Sequence, residues 1–75
     1  MKETRKLQLH YPLAQVQQPI INMLVTEYDL EPNLLRADVD VQSGGWIIAE
    51  LTGETQTIDR AIGWMQECGL EIAKV

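Results

Sequence analysis

The residues predict an α+β domain: one four-stranded antiparallel sheet with two helices packed on one of its faces. Three observations carry this expectation. From Leu35 onward Leu35, Ala37, Val39 and Val41 alternate with Leu34, Arg36, Asp38 and Asp40, the period of two that a half-buried strand requires. After Ser43-Gly44-Gly45 the alternation resumes with Ile47, Ala49 and Leu51, so the stretch Glu31 to Gly53 reads as a β-hairpin. On either side of it lies a segment with apolar residues three and four apart, and beyond each a short alternating stretch.

The first strand is expected over Thr4 to Tyr11, with Leu7, Leu9 and Tyr11 facing one way and Lys6, Gln8 and His10 the other. Pro12 ends it. A helix should begin between Val16 and Pro19, because proline is tolerated in a first helical turn where its missing N–H has no partner to lose. Val16, Ile20, Met23, Leu24, Glu27 and Tyr28 form its sheet-facing stripe. Pro32 stops the helix from running on and pushes Glu31 to an extended conformation.

Keeping both apolar sets of the hairpin on one face requires opposed residues to share parity, which favours a three-residue loop over a two-residue one. Two registers satisfy this. One sets Val41 opposite Gly45 and Arg36 opposite Glu50; the other sets Val41 opposite Ile47 and Asp38 opposite Glu50. Opposed unlike charges stabilise a sheet and like charges destabilise it, which makes the Arg36–Glu50 register the better of the two.

The second helix is expected from Thr55 or Gln56 to Cys68, with Thr55 as its cap and Asp59 near its positive start. Ile58, Ala61, Ile62, Met65 and Cys68 fall on one face, and Gly69 is placed to take the left-handed residue after the C-terminus. Leu70 to Val75 forms the last strand, with Leu70 and Ile72 on one side. The order β-α-β-β-α-β, with right-handed crossovers, gives the ferredoxin-like sandwich. The first and third strands are then central, and the second, Asn33 to Val41, lies at an edge.

Composition narrows the function. Seventy-five residues make a single domain, 1–75, near the lower end of what one apolar core stabilises alone, so dimerisation is an attractive way to bury more surface. A formal charge of −5 disfavours nucleic acid or anionic lipid as partner. A single cysteine allows no internal disulfide, no run approaches the ~18 apolar residues of a membrane span, and no signal-peptide core follows the basic start. A cytoplasmic location is expected.

The open face of the sheet is the informative surface. Lys6, Gln8, His10, Leu34, Arg36, Asp38, Asp40, Trp46, Ile48, Glu50 and Thr52 belong to it by alternation. Leu34, Trp46 and Ile48 are apolar among polar neighbours, either as scattered surface hydrophobes or as a surface for a ligand or partner; a tryptophan is costly to leave wet, which favours the second. His10 and Cys68 are single residues of their kinds and have no metal-ligand spacing. Gly44-Gly45 joins two strands and precedes no helix, so it is no phosphate loop. Nothing in the chain calls for a cofactor, and the carboxylates Asp38, Asp40 and Glu50 alone make a poor case for an enzyme.

At the hairpin the stretch PNLLRADVDVQSGGWIIAELTG resembles the signature of the NIL domain, named for an Asn-Ile-Leu run at the start of its second strand. That run is Asn33-Leu34-Leu35 here, with Leu in place of Ile. The resemblance extends back through Pro19-Ile20-Ile21-Asn22-Met23-Leu24 and forward through Gly53, Ala61-Ile62-Gly63-Trp64-Met65-Gln66-Glu67 and Gly69-Leu70-Glu71-Ile72. It implies a ferredoxin-like fold. It also implies kinship with domains at the C-terminus of the ATPase subunits of methionine-import ABC transporters, which dimerise and bind the amino acid as an inhibitory signal. Other family members are joined to iron–sulfur domains or stand alone.

Two functions follow as expectations. The first is a non-catalytic, homodimeric module that binds a small molecule, an amino acid such as methionine, with Asn33 and Leu34 as ligand contacts and Leu34, Arg36, Trp46 and Ile48 at an interface. Asn33 suits an amino acid because its amide both donates and accepts; equally, it shapes entry into the strand after Pro32. The second is a module that docks an iron–sulfur or transporter component through Leu34, Trp46 and Ile48 and binds no metabolite.

Overall fold

The elements run β1 (Lys2–Tyr11), α1 (Ile20–Thr26), β2 (Glu31–Asp40), β3 (Gly44–Glu54), α2 (Thr55–Glu67) and β4 (Glu71–Lys74). They come from a computed structural model that describes residues 1–12, 19–40 and 44–74, Val39 by its backbone alone. The sheet order is β2-β3-β1-β4 with every neighbour antiparallel, so β1 and β3 are central and β2 is an edge, as the topology argument requires. Leu7, Leu9, Tyr11, Ile47, Ala49 and Leu51 of the sheet share one core with Ile20, Leu24, Ile58, Ala61 and Met65 of the helices. Both helices therefore cover the same face. Burying each large aliphatic side chain in that core contributes about 1.5–3 kcal/mol, and the opposite face of the sheet is left to solvent.

The helices end where their sequences dictate. Gly69 takes φ 100°, and Gly69 and Leu70 donate their N–H groups to the carbonyls of Gln66 and Met65 at 3.0 Å. This pairing satisfies the last carbonyls of α2 and drops Leu70 into the core beside Met65. α1 is shorter than expected. It starts at Ile20, with Pro19 as its cap residue, and closes at Thr26, so Glu27 is exposed rather than part of the buried stripe. Asp29 then turns at φ 53°, and the Leu30 N–H donates to the Leu24 carbonyl at 3.0 Å. The expectation for Val16 lies outside the described residues.

At the start of α2 the cap is Glu54 in an extended conformation, and Thr55 is already helical. Thr55 does not cap: its N–H and its hydroxyl both donate to the Met1 carbonyl, at 3.0 and 3.1 Å. The Met1 ammonium in turn meets Glu54 Oε2 at 2.5 Å. These bonds tie the beginning of β1 to the beginning of α2. Asp59 is also committed, to the Arg5 guanidinium at 2.7 Å.

The hairpin register corrects both expected alternatives. Asp40 faces Gly44, Val39 Gly45, Asp38 Trp46, Ala37 Ile47 and Arg36 Ile48; then the ladder slips, and Leu34 faces Ala49, Asn33 Glu50, Pro32 Leu51 and Glu31 Thr52. Residues 41–43, Val41 among them, lie outside the described set. Leu35 is the extra residue, with no partner on β3. A β-bulge of this kind bends the strand and reverses the sense of its alternation. Leu34 therefore shares the helix-side face with Ala49, not the open face, and Leu35 is 46% exposed where a core position was expected. The bulge draws neither leucine into the core: Leu34 stays 50% exposed.

Candidate functional site

Three successive rows of the open face cross β2, β3 and β1. Asn33, Glu50 and Lys6 form the first; Arg36, Ile48 and Gln8 the second; Asp38, Trp46 and His10 the third. Glu71 of β4 extends the last row, with its carboxylate 3.6 Å from His10 Nδ1. Three of the four expected interface residues, Arg36, Trp46 and Ile48, thus share a face with Asn33. Leu34, expected as both ligand contact and interface residue, is separated from them by the sheet.

Contacts within the face are specific. The Asn33 Nδ2 donates to Glu50 Oε1 at 3.4 Å. The Arg36 guanidinium carbon lies 5.9 Å from the centre of the Trp46 ring, within reach of the attraction between a cation and an aromatic face. That cover, with the strand on either side, leaves Trp46 half-buried although it faces away from the core. Thr4 and Thr52 share a hydroxyl–hydroxyl hydrogen bond of 2.8 Å at the far end of the same face.

Sequence reasoning missed Glu50 as the neighbour of Asn33. The register it preferred placed Arg36 there, because it closed the hairpin with Val41 opposite Gly45, where the ladder closes with Asp40 opposite Gly44. The one available signal was the apolar Leu34 on an otherwise polar set.

The other charged cluster serves the scaffold. Arg5 donates to both Glu3 oxygens, at 3.0 and 3.2 Å, and to Asp59 Oδ1. The Arg5 hydrogen bonds, helped by Thr55, hold the Glu3 carboxyl below its ordinary range, and the N-terminal ammonium does the same for Glu54. Burial pushes the Tyr11 hydroxyl up to about 12. Trp64 packs its ring on Tyr28 with 5.4 Å between centroids, and Cys68 is half-buried against the core. Among the described residues no group of three His, Cys, Asp or Glu is placed to hold a metal ion. A shallow depression lined by Met1, Glu54, Thr55, Gln56 and Thr57 lies at the opposite end of β3 from Trp46 and touches none of the expected site residues. No helix of the described residues is long and apolar enough to cross a membrane.

Sheet order, helix placement and the single shared core define a ferredoxin-like α+β domain with a bulged, solvent-facing edge strand. More narrowly, the chain belongs to the NIL domain family, whose profile matches residues 5–74. It is similar to the C-terminal domain of an ABC transporter / ATP-binding protein from Enterococcus faecalis, solved by crystallography. The TM-score is 0.82 at 26% identity, covering 95% of this chain and 82% of that one. No curated protein sequence matches it.

Proposed function

We propose that this NIL domain is a non-catalytic regulatory module that acts as a homodimer and binds a free amino acid, methionine being the first to test. The observation that supports it most directly is the pairing of Asn33 with Glu50 at the edge of the open face, in a family whose transporter-linked members are read above as amino-acid sensors. An amino acid presents an ammonium and a carboxylate on the same carbon atom. The Glu50 carboxylate suits the first, and the Asn33 amide N–H suits the second. Neither group is buried, so a second wall is needed to exclude water, and a partner copy lying over the open face would supply it.

Thermal unfolding against the set of amino acids tests this. A ligand at a hundred times its dissociation constant stabilises the folded state by about 2.7 kcal/mol, a readily measured rise in melting temperature. Asn33→Ala should abolish the rise while leaving the unliganded melting temperature close to that of the natural chain, because the side chain is exposed. A folded dimer that no amino acid stabilises would end the ligand-binding reading.

A further inference from the structure

We infer that the N-terminal half of β1 is a docking edge for an extended, acidic segment of a partner protein, which adds to the sheet as a fifth strand in the line of β4. β1 runs for ten residues, Lys2–Tyr11, and β3 covers one side of it throughout. On the other side β4 reaches only from Leu7 to His10. Between Lys2 and Lys6, alternate residues therefore turn their N–H and C=O groups toward a side where, among the described residues, no strand lies. Such a row accepts another strand through its main chain. β3 already holds this half of β1 extended, so only the guest has to be ordered on docking.

Charge identifies the guest. All three lysines of the chain, Lys2, Lys6 and Lys74, border this opening. Each is exposed, and among the described residues none takes part in an ion pair or a side-chain hydrogen bond. Lys2 and Lys74 do no more than help to lower the Glu54 and Glu3 carboxyls. The whole chain carries −5, but at physiological salt a charge is screened beyond about 8 Å, so the lysines set the field felt at this edge. Lysines on an edge repel basic strands and discourage apolar ones; acidic segments are the ones they admit. The register then places the charges. With Lys74 opposite Leu7, guest residues running antiparallel to β1 fall opposite Arg5, Thr4, Glu3 and Lys2 in turn. The first lies on the helix side, next along the strand line from Lys74. The second and fourth lie on the open face beside Lys6 and Lys2, and the third meets Glu3 and is best uncharged. An acidic-acidic-neutral-acidic run answers all four positions.

A blocked peptide carrying Glu-Glu-Thr-Glu, titrated into the isotope-labelled chain and followed by NMR, tests this. The amides of Lys2 to Leu7 and of Lys74 should shift, and hydrogen exchange at alternate residues between Lys2 and Lys6 should slow as their N–H groups are paired. Reversing both open-face charges, Lys2→Glu with Lys6→Glu, should weaken binding about tenfold or more. A Glu-Lys-Thr-Lys peptide should then bind that variant in preference to the natural chain. The variant's spectrum away from β1 should be unchanged, because both side chains are exposed. A Glu-Glu-Thr-Glu peptide that fails to bind, that binds without slowing exchange, or that binds the variant as tightly as the natural chain would overturn the assignment.

Discussion

Gly53 shows how much a single position can decide. It sits on the helix-side face of β3, where a Cβ would fall 2.4 Å from Cδ2 of Leu30. Leu30 is itself buried, held by its N–H bond to the end of α1, so it has little room to yield. Overpacking at such a point costs about 1–3 kcal/mol. Gly53→Ala is expected to lower stability by that amount in urea unfolding, and Leu30→Ala should cost less in the Gly53→Ala chain than in the natural one, because the two side chains compete for the same space. Asn33 is a different kind of residue. Its side chain is exposed and its one bond, to Glu50, is long, so its value to the fold is small and its role must be sought in binding. The sequence marked Asn33 through the family signature, but nothing local marked Glu50 as its neighbour, because cross-strand partners are a product of register.

At the level of elements, the strands and helices were legible because their periods are local properties. The stripe of α2 is the clearest: Ile58, Ala61 and Met65 are fully buried, with Ile62 and Cys68 at the rim. Boundaries were less legible where the chain closes on itself. Thr55 looks like a cap, yet Met1 takes its hydroxyl, a contact between residues far apart in sequence. Arg5 joins β1 to α2 in the same way, through Glu3 and Asp59. Its tie has a pH signature. The Glu3 carboxyl, held by Arg5 below its ordinary value of 4.5, binds fewer protons in the folded than in the unfolded chain. Its contribution is thus complete above that ordinary value and is lost as pH falls through the lower native one. The Arg5→Gln variant should melt below the natural chain at neutral pH, with the gap narrowing as the medium is acidified below the ordinary carboxylate value, as thermal melts across pH will show.

On the scale of the whole molecule, the uneven cover of the sheet is what matters. α1 has seven residues and ends at Thr26, so the helix layer does not enclose the bulged edge, and Leu34 and Leu35 stay half exposed although one faces the helix side. A surface left open by the fold of one chain carries little of that chain's stability. Leu34→Ser should therefore change the unfolding free energy of the chain by no more than about 0.5–1 kcal/mol in urea unfolding. An effect as large as that of a buried leucine would mean that the edge belongs to the core after all.

By itself the sequence determined the order of elements, the sheet's central and edge strands, the faces of α2 and β3, and the family. Each depends on a period of two or three to four residues, or on a motif read in line, and such signals survive without knowledge of distant contacts. Only the tertiary structure decided the hairpin register, the bulge at Leu35, the side on which Leu34 lies and the meeting of Asn33 with Glu50. Those outcomes hang on how β2 settles against β3. There, a one-residue slip moves every later side chain to the other face, and the energy that chooses the slip is summed over the whole ladder and the core beneath it.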